Sequence, residues 1–265
     1  MTQLDKLQSV IDTLLGPNGC PWDKEQTPQS LADYVIEECH ELVDAIRQGT
    51  SKDVCEELGD VAFLLVLIAK FYEQKGDFSL GTALDMSSDK MVRRHPHVFA
   101  DTTFDSMDEQ LKAWEEIKRA EKSNDEETVK GVFDSLPRSL PPLVKAYRLH
   151  SKAARVNFTW PEDEEVEQQV EAEWLEWLDV SQSTNKEAQK HELGDMLFTL
   201  VELGRRKGIK ANEALDLSTI RFLKRFEAME KLAHQRGLDF VNLDLNDKDS
   251  LWNEVKEAEK NNFPN

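Results

Sequence analysis

The sequence has few cysteines and an excess of negative charge. Its three cysteines, Cys20, Cys39 and Cys55, are an odd number without Cys-x-x-Cys spacing. Neither a disulfide framework nor a cysteine-based zinc site is therefore expected. Lysine and arginine number 33 against 52 aspartate and glutamate residues, a formal net charge of −19. Because phosphate contacts require clustered basic residues, this balance argues against nucleic acid or an anionic membrane as the main partner.

Long apolar runs and alternating strand patterns are also missing. No run reaches the length of a membrane span, and the first residues lack the basic and continuous apolar segments of a secretory leader. We therefore expect a soluble, cytoplasmic protein. No stretch alternates convincingly between apolar and polar residues, so strands are not expected. Apolar residues recur at helical spacing instead, as in Leu4, Leu7, Ile11 and Leu14, and the predicted fold class is all-α.

The densest acidic feature of the chain spans residues 37–60. Glu37 and Glu41 are four residues apart, and Glu57 and Asp60 are three apart, so each set projects from one helical face. The short polar turn at 48–51 between them favours a hairpin of two helices. Such a hairpin would bring at least four carboxylates together. Since like charges repel at that range, a cation is expected among them.

The second half of the chain repeats the first. The sequence Glu57-Leu58-Gly59-Asp60 recurs 135 positions later as Glu192-Leu193-Gly194-Asp195. We interpret this as a tandem duplication with domains 1–122 and 139–265, joined by a linker over 123–138. Each half contains two acid pairs, two cations four residues apart and a Trp-x-x-x-Lys turn. The acid pairs are Glu38 with Glu41 and Glu57 with Asp60, then Glu173 with Glu176 and Glu192 with Asp195. The other members are Lys90, Arg94, Trp114 and Lys118, then Arg221, Arg225, Trp252 and Lys256.

These residue types indicate a metal and a phosphate ligand. Carboxylates without histidine or cysteine at matching spacing favour Mg²⁺, with Mn²⁺ as the other option, over zinc. Magnesium usually shares its coordination with substrate phosphates. Paired cations suit phosphate oxygens, and an indole suits a base or ribose. A histidine metal site at His95 and His97 is not favoured, because the second half repeats no partner for them.

Several motifs together resemble one known family. They are the pattern Glu-Glu-x-x-Glu, spacer, Glu-x-x-Asp and the segments 18–27, 93–101 and 136–141. In this order the motifs resemble the two-domain bacterial MazG nucleoside triphosphate pyrophosphohydrolases along essentially the whole chain. The resemblance implies all-α units, each near a four-helix bundle, that assemble as a homodimer. It also implies Mg²⁺-dependent conversion of nucleoside triphosphates to monophosphate and pyrophosphate, with broad base tolerance and a housekeeping role in the nucleotide pool.

The resemblance also implies roles for individual residues. The eight carboxylates of the acid pairs would be metal ligands, and the eight cationic and aromatic residues would bind the nucleotide. Glu38, Glu57, Glu173 and Glu192 would be the catalytic carboxylates. Glu37 and Glu173 are candidate general bases. Related two-domain members tend to rely on the second copy.

This chain departs from the family pattern at three places. Ala172 replaces the leading glutamate in the second copy, so the first copy has the fuller acid set. Arg221 stands where the first copy has Lys90, and 156–160 departs from the usual Gly-Phe-Asp-Trp. These departures keep two alternatives open. Beside the hydrolase, the chain could be a helical protein that senses nucleotides or docks a partner without chemistry, or an acidic structural scaffold.

Overall fold

A computed structural model describes residues 2–122 and 131–262. Within these ranges the secondary structure is helical and contains no strand, which confirms the all-α prediction. The chain divides into two compact units, Met1–Asn124 and Asp125–Asn265. Residues 123–130 of the predicted linker lie outside the described ranges. Among the described residues, no helix is both long enough and apolar enough to cross a membrane.

The first unit is built on a pair of long helices that carry the acidic stretch. Its helices are α1 (Gln3–Leu15), α2 (Pro21–Glu25), α3 (Leu31–Gln48), α4 (Ser51–Gln74), α5 (Leu80–Arg94), α6 (Pro96–Phe99) and α7 (Met107–Lys122). Helix α4 packs against α1, α3 and α5, and α5 packs against α7. The predicted hairpin of α3 and α4 is thus present.

The turn between α3 and α4 has specific local causes. The Gly49 amide donates to the Ala45 carbonyl at 2.8 Å, and a Cβ on Gly49 would lie 2.8 Å from that oxygen, so only glycine fits. Thr50 then caps α4: its hydroxyl accepts from the Asp53 amide, and the Asp53 carboxylate accepts from the Thr50 amide at 2.7 Å. This capping box starts the helix at Ser51.

The second unit has the same order of long helices. They are α8 (Pro142–Ala154), α9 (Asp163–Ser181), α10 (Lys186–Arg206), α11 (Ala211–Gln235) and α12 (Leu245–Asn262), with a short 3-10 turn at Phe240–Asn242. Helix α10 packs against α8, α9 and α11, and α11 packs against α12. The side chain of Gln189 donates to the carbonyls of Val180, Ser181 and Ser183 and so closes the turn between α9 and α10.

The two units bury different kinds of side chain. The core of the first unit is apolar and contains Ile11, Leu31, Leu64, Val66 and Leu67. The second unit has an apolar cluster where α11 meets α12, made of Met229, Ala233, Leu251 and Val255. It also buries His150 of α8 and Glu202 of α10. At one pair of positions 135 residues apart, the second unit thus buries Glu202 where the first unit buries Leu67.

Candidate metal and nucleotide site

The hairpin of α3 and α4 brings three of the predicted carboxylates together. Glu38 of α3 and Glu57 and Asp60 of α4 each offer an oxygen, and these oxygens lie within 4.8 Å of one another. We call these three residues the first acidic cluster. Burial, followed by repulsion from Glu41 and the neighbouring acids, raises the pKa of Glu38. The same causes raise the pKa of Glu57.

Glu41 lies next to the first acidic cluster without belonging to it. Its charge raises the pKa of both Glu38 and Glu57, yet its oxygens are not among those that meet within 4.8 Å. Glu37 also acts on Glu38 through its charge. Of the four predicted ligands of this copy, the structure therefore places three in one group and the fourth beside it.

The hairpin of α9 and α10 carries the second acidic cluster, formed by Glu173, Glu176 and Glu192. Their oxygens again lie within 4.8 Å of one another. Glu173 is buried, at 9% exposure, and accepts a hydrogen bond from Gln169 at 2.9 Å. Repulsion from Glu173, followed by burial, raises the pKa of Glu176. Asp195, the fourth predicted ligand, meets Glu192 in a separate group that includes His191.

The donor set suits a divalent cation. All ligand atoms of the two acidic clusters are carboxylate oxygens, which Mg²⁺ and Mn²⁺ prefer. Among the described residues, Glu192 Oε2 is buried and has no hydrogen-bond partner. An unpaired carboxylate oxygen is unfavourable in such a place unless a cation meets it. The residues present therefore fit the metal that the sequence predicts.

Three of the four predicted nucleotide-binding residues of the first unit, Arg94, Trp114 and Lys118, lie together. The Lys118 ammonium lies 4.1 Å from the centre of the Trp114 ring, and the Arg94 guanidinium lies 5.9 Å from it. Arg94 also donates to Glu121 Oε2 from two nitrogens, at 2.9 and 2.5 Å. The Arg94 hydrogen bonds lower the pKa of Glu121. Lys90 lies one helical turn before Arg94 on α5.

The second unit repeats the contact between the arginine and the indole. Arg225 lies 5.6 Å from the centre of the Trp252 ring and donates to Glu259 at 2.8 Å. Phe222 packs against the same indole, with ring centroids 5.4 Å apart. Arg221 donates to Ser218 at 3.0 Å, and Lys256 lies one turn after Trp252 on α12.

The sequence patterns did not predict two residues of this subsite, Glu121 and Glu259. Glu121 and Glu259 pair with the arginines that were predicted to bind phosphate, and they are separated by the same 138 positions as Trp114 and Trp252. That shared offset is the signal that could have identified them. Each arginine is thus held against its tryptophan by a carboxylate.

The segment 156–160, which departs from the family pattern, is tied to the end of α10. Thr159 donates to Glu202 at 3.2 Å, and the Trp160 carbonyl accepts from Arg206 at 2.7 Å. Arg206 and Lys207 also hold Asp163 at the start of α9, at 2.5 and 2.9 Å. These bonds fix the beginning of the helix that carries Glu173.

Comparisons with known proteins find relatives along nearly the whole chain. A protein of Escherichia coli (strain K12) named nucleoside triphosphate pyrophosphohydrolase is 36% identical over 265 residues, which cover 98% of this chain and 99% of that relative. The chain belongs to the MazG family. The family's "MazG nucleotide pyrophosphohydrolase domain" matches residues 26–99, which include the first acidic cluster.

Two further relatives match the MazG chain over most of its length. The Thermotoga maritima protein named nucleoside triphosphate pyrophosphohydrolase/pyrophosphatase MazG is 34% identical over 252 residues, 95% of each chain. The uncharacterized protein YabN of Bacillus subtilis is 41% identical over 259 residues, which cover 97% of this chain and 52% of YabN. Similarity to these MazG relatives thus extends through both units.

Proposed function

We propose that this MazG chain hydrolyses nucleoside triphosphates to nucleoside monophosphate and pyrophosphate with the help of Mg²⁺. The observation that carries the proposal is the convergence of carboxylates from two neighbouring helices in each unit. The names of the relatives from E. coli and T. maritima support the same activity. Clearing nucleotides from the cytoplasmic pool is the housekeeping role that such an activity serves.

The acidic clusters are the proposed cation sites. Glu38, Glu57 and Asp60, with Glu41 beside them, would hold the cation in the first unit. Glu173, Glu176, Glu192 and Asp195 would do so in the second unit. When bound, Mg²⁺ or Mn²⁺ supplies charge neutralisation for phosphate oxygens and makes water a better nucleophile.

The chemistry is the addition of a water oxygen to the α-phosphorus. The bond between that phosphorus and the oxygen bridging to the β-phosphorus breaks, and pyrophosphate leaves with the electron pair. A carboxylate accepts the proton of the water. We assign this role to Glu173 in the second unit, where Gln169 holds its side chain in place.

The paired cations and the indoles are the proposed nucleotide subsite. Arg221, Arg225 and Lys256 would bind the triphosphate, with Trp252 beside the nucleoside. Lys90, Arg94, Lys118 and Trp114 are their counterparts in the first unit. An indole face stacks on any base. This supports broad base tolerance, because stacking reads the ring face and not the hydrogen-bonding edge.

The test is an assay on the purified full chain with Mg²⁺ and a mixture of ribo- and deoxyribonucleoside triphosphates. Pyrophosphate and monophosphate are measured together, so that stepwise release of phosphate is distinguished. We expect equal amounts of both products and loss of turnover with EDTA. Glu192→Gln should lower kcat by about a hundredfold or more. The control Glu187→Gln, on the same helix and paired with Lys190, should leave it unchanged.

The turnover of a first-unit variant shows which of the two copies is catalytic. Glu57→Gln should lower turnover less than Glu192→Gln does, because the second cluster has the buried, unpaired Glu192 oxygen. If Glu57→Gln abolishes turnover and Glu192→Gln does not, the assignment to the second unit is wrong. If no pyrophosphate is released by the wild-type chain, the proposed function itself is wrong.

Ala172 favours one alternative function, a nucleotide sensor without chemistry in the second unit. The leading glutamate of the motif is missing there. Titration with a triphosphate that carries a methylene group between its α- and β-phosphorus measures binding alone. Binding of this analogue, without release of pyrophosphate from the natural nucleotide, would favour the sensor.

A further inference from the structure

His191 lies at the edge of the second acidic cluster. Its Nδ1 atom is 3.1 Å from Asp195 Oδ2 and 3.5 Å from Glu192 Oε1. The imidazole, Glu192 and Asp195 each offer one ligand atom, and the three atoms lie within 4.8 Å of one another. The His191 side chain is 72% exposed, so its ring is accessible from solvent.

His191 shares a face of α10 with Asp195. His191 and Asp195 are four residues apart, so they project from the same face. Glu192 belongs to two groups: the all-carboxylate cluster with Glu173 and Glu176, and the mixed group with His191 and Asp195. The Glu192 carboxylate therefore belongs both to a group whose ligand atoms are all oxygens and to a group that includes the His191 nitrogen.

The first unit does not share this feature. The position 135 residues before His191 is Glu56. Among the described residues, the first acidic cluster contains carboxylates only. The two units thus differ in the softness of the donor atoms they present. Imidazole nitrogen favours first-row transition ions, whereas carboxylate alone suits Mg²⁺.

We propose that His191 is a nitrogen ligand that makes the second unit select a divalent transition ion such as Mn²⁺ over Mg²⁺. The proposal rests on the cation sites of the proposed function and deepens them. The first unit remains a site for hard cations, because its donors are oxygen atoms only. The duplicated chain then carries two related clusters with different metal preference.

The competing explanation is an ion pair within the helix. His191 beside Asp195 would then be an ordinary i,i+4 pair on the helix surface. Such a pair contributes no ligand to a cation. Removing it would change the affinities for Mn²⁺ and Mg²⁺ by the same factor.

The experiment uses Mn²⁺ as the probe and the full chain with Glu57→Gln and Asp60→Asn, which removes the first acidic cluster. Pulsed electron paramagnetic resonance detects ¹⁴N coupling to bound Mn²⁺. Competition titrations give the ratio of Mn²⁺ to Mg²⁺ affinity. His191→Gln removes the imidazole, and His191→Glu installs the side chain found at Glu56. His234→Gln is the control, because it removes an exposed histidine at the end of α11.

We expect ¹⁴N coupling in the parent chain and in the His234→Gln control. His191→Gln should abolish the coupling and lower the preference for Mn²⁺ over Mg²⁺ by about tenfold. Bound Mn²⁺ without nitrogen coupling, or an unchanged preference in His191→Gln, would overturn the inference and leave the proposed function standing. If neither cation binds, the inference and the proposed cation sites are both wrong. Circular dichroism verifies that each variant is folded.

Discussion

At the scale of single residues, the largest difference between the units is a buried glutamate. Leu67 of α4 is 1% exposed in an apolar core, and Glu202, at the corresponding position of α10, is also 1% exposed. Arg205 donates to both Glu202 oxygens, at 2.6 and 2.8 Å. His150 Nδ1 lies 3.5 Å from Glu202 Oε2. A buried carboxylate of this kind is tolerated because its partners satisfy it.

The pKa values in this group follow from burial and from Arg205. Burial alone would raise the pKa of Glu202, but Arg205, chiefly through its hydrogen bonds and charge, together with the other polar partners, lowers the pKa. The pKa of His150 is lowered, chiefly because burial disfavours its charged form, and Arg205 adds to this effect. His150 Nε2–H donates to the Phe198 carbonyl at 3.1 Å, so the neutral ring is held in one orientation.

The lowered pKa of His150 predicts loss of stability in acid. Unfolded histidine titrates near about 6.5, so below that pH the unfolded chain binds a proton that the folded chain resists. The contribution of His150 to the free energy of unfolding should therefore fall between pH 7 and pH 5. His150→Gln should remove this part of the pH dependence. The measurement is thermal unfolding of both proteins at each pH. A difference in stability between the two proteins that stays constant from pH 7 to pH 5 would contradict it.

At the scale of secondary-structure elements, the sequence predicted the helical hairpins that carry the acidic residues. It did not predict which side chains of distant helices pair with one another. The spacing of Glu57 and Asp60 and the turn at 48–51 determine the helix face and the connection, so both were predictable. The pairing of Arg94 with Glu121 joins residues 27 positions apart on different helices. Helical periodicity does not specify which faces of distant helices meet. The burial of Glu202 could not be predicted either, because it also depends on which helix faces meet.

Replacement by alanine should have opposite effects on stability at two glycines of the first hairpin, Gly49 and Gly59. Gly49→Ala places a Cβ 2.8 Å from the Ala45 carbonyl oxygen, so the backbone of the turn must shift. The expected loss of stability is about 1–3 kcal/mol. Gly59→Ala lies within α4, where an added Cβ meets nothing within 4 Å among the described residues. It should stabilise the chain by roughly 0.5–1 kcal/mol through helix propensity.

Urea denaturation of the two variants and of the wild-type chain measures both effects. Gly194→Ala serves as a second control, because its added Cβ also meets nothing within 4 Å among the described residues. A destabilising effect of Gly59→Ala would contradict the prediction for this glycine.

At the scale of the whole molecule, a strongly acidic chain exposes apolar side chains on its long helices. Ile36, Val43 and Ile46 form a stripe along α3, and Leu193, Leu197 and Leu200 form another along α10. Residues spaced in this way lie on one helical face. Exposed apolar stripes of this kind often mark contacts between proteins. They support the predicted homodimer, in which apolar contact must outweigh repulsion between chains of net charge −19.

If the chain forms the predicted homodimer, its mass in solution should depend on salt, and a charged substitution on the exposed face of α3 should separate the two copies. Light scattering after size-exclusion chromatography should give about twice the 30.4 kDa of one chain. The dimer should strengthen with added salt, because salt screens the charge repulsion. Ile46→Glu should yield monomers without loss of fold, since Ile46 is 63% exposed within one chain. Val241→Glu, at an exposed position of the 3-10 turn, is the control and should stay dimeric. A wild-type mass of 30.4 kDa at all concentrations would refute the dimer.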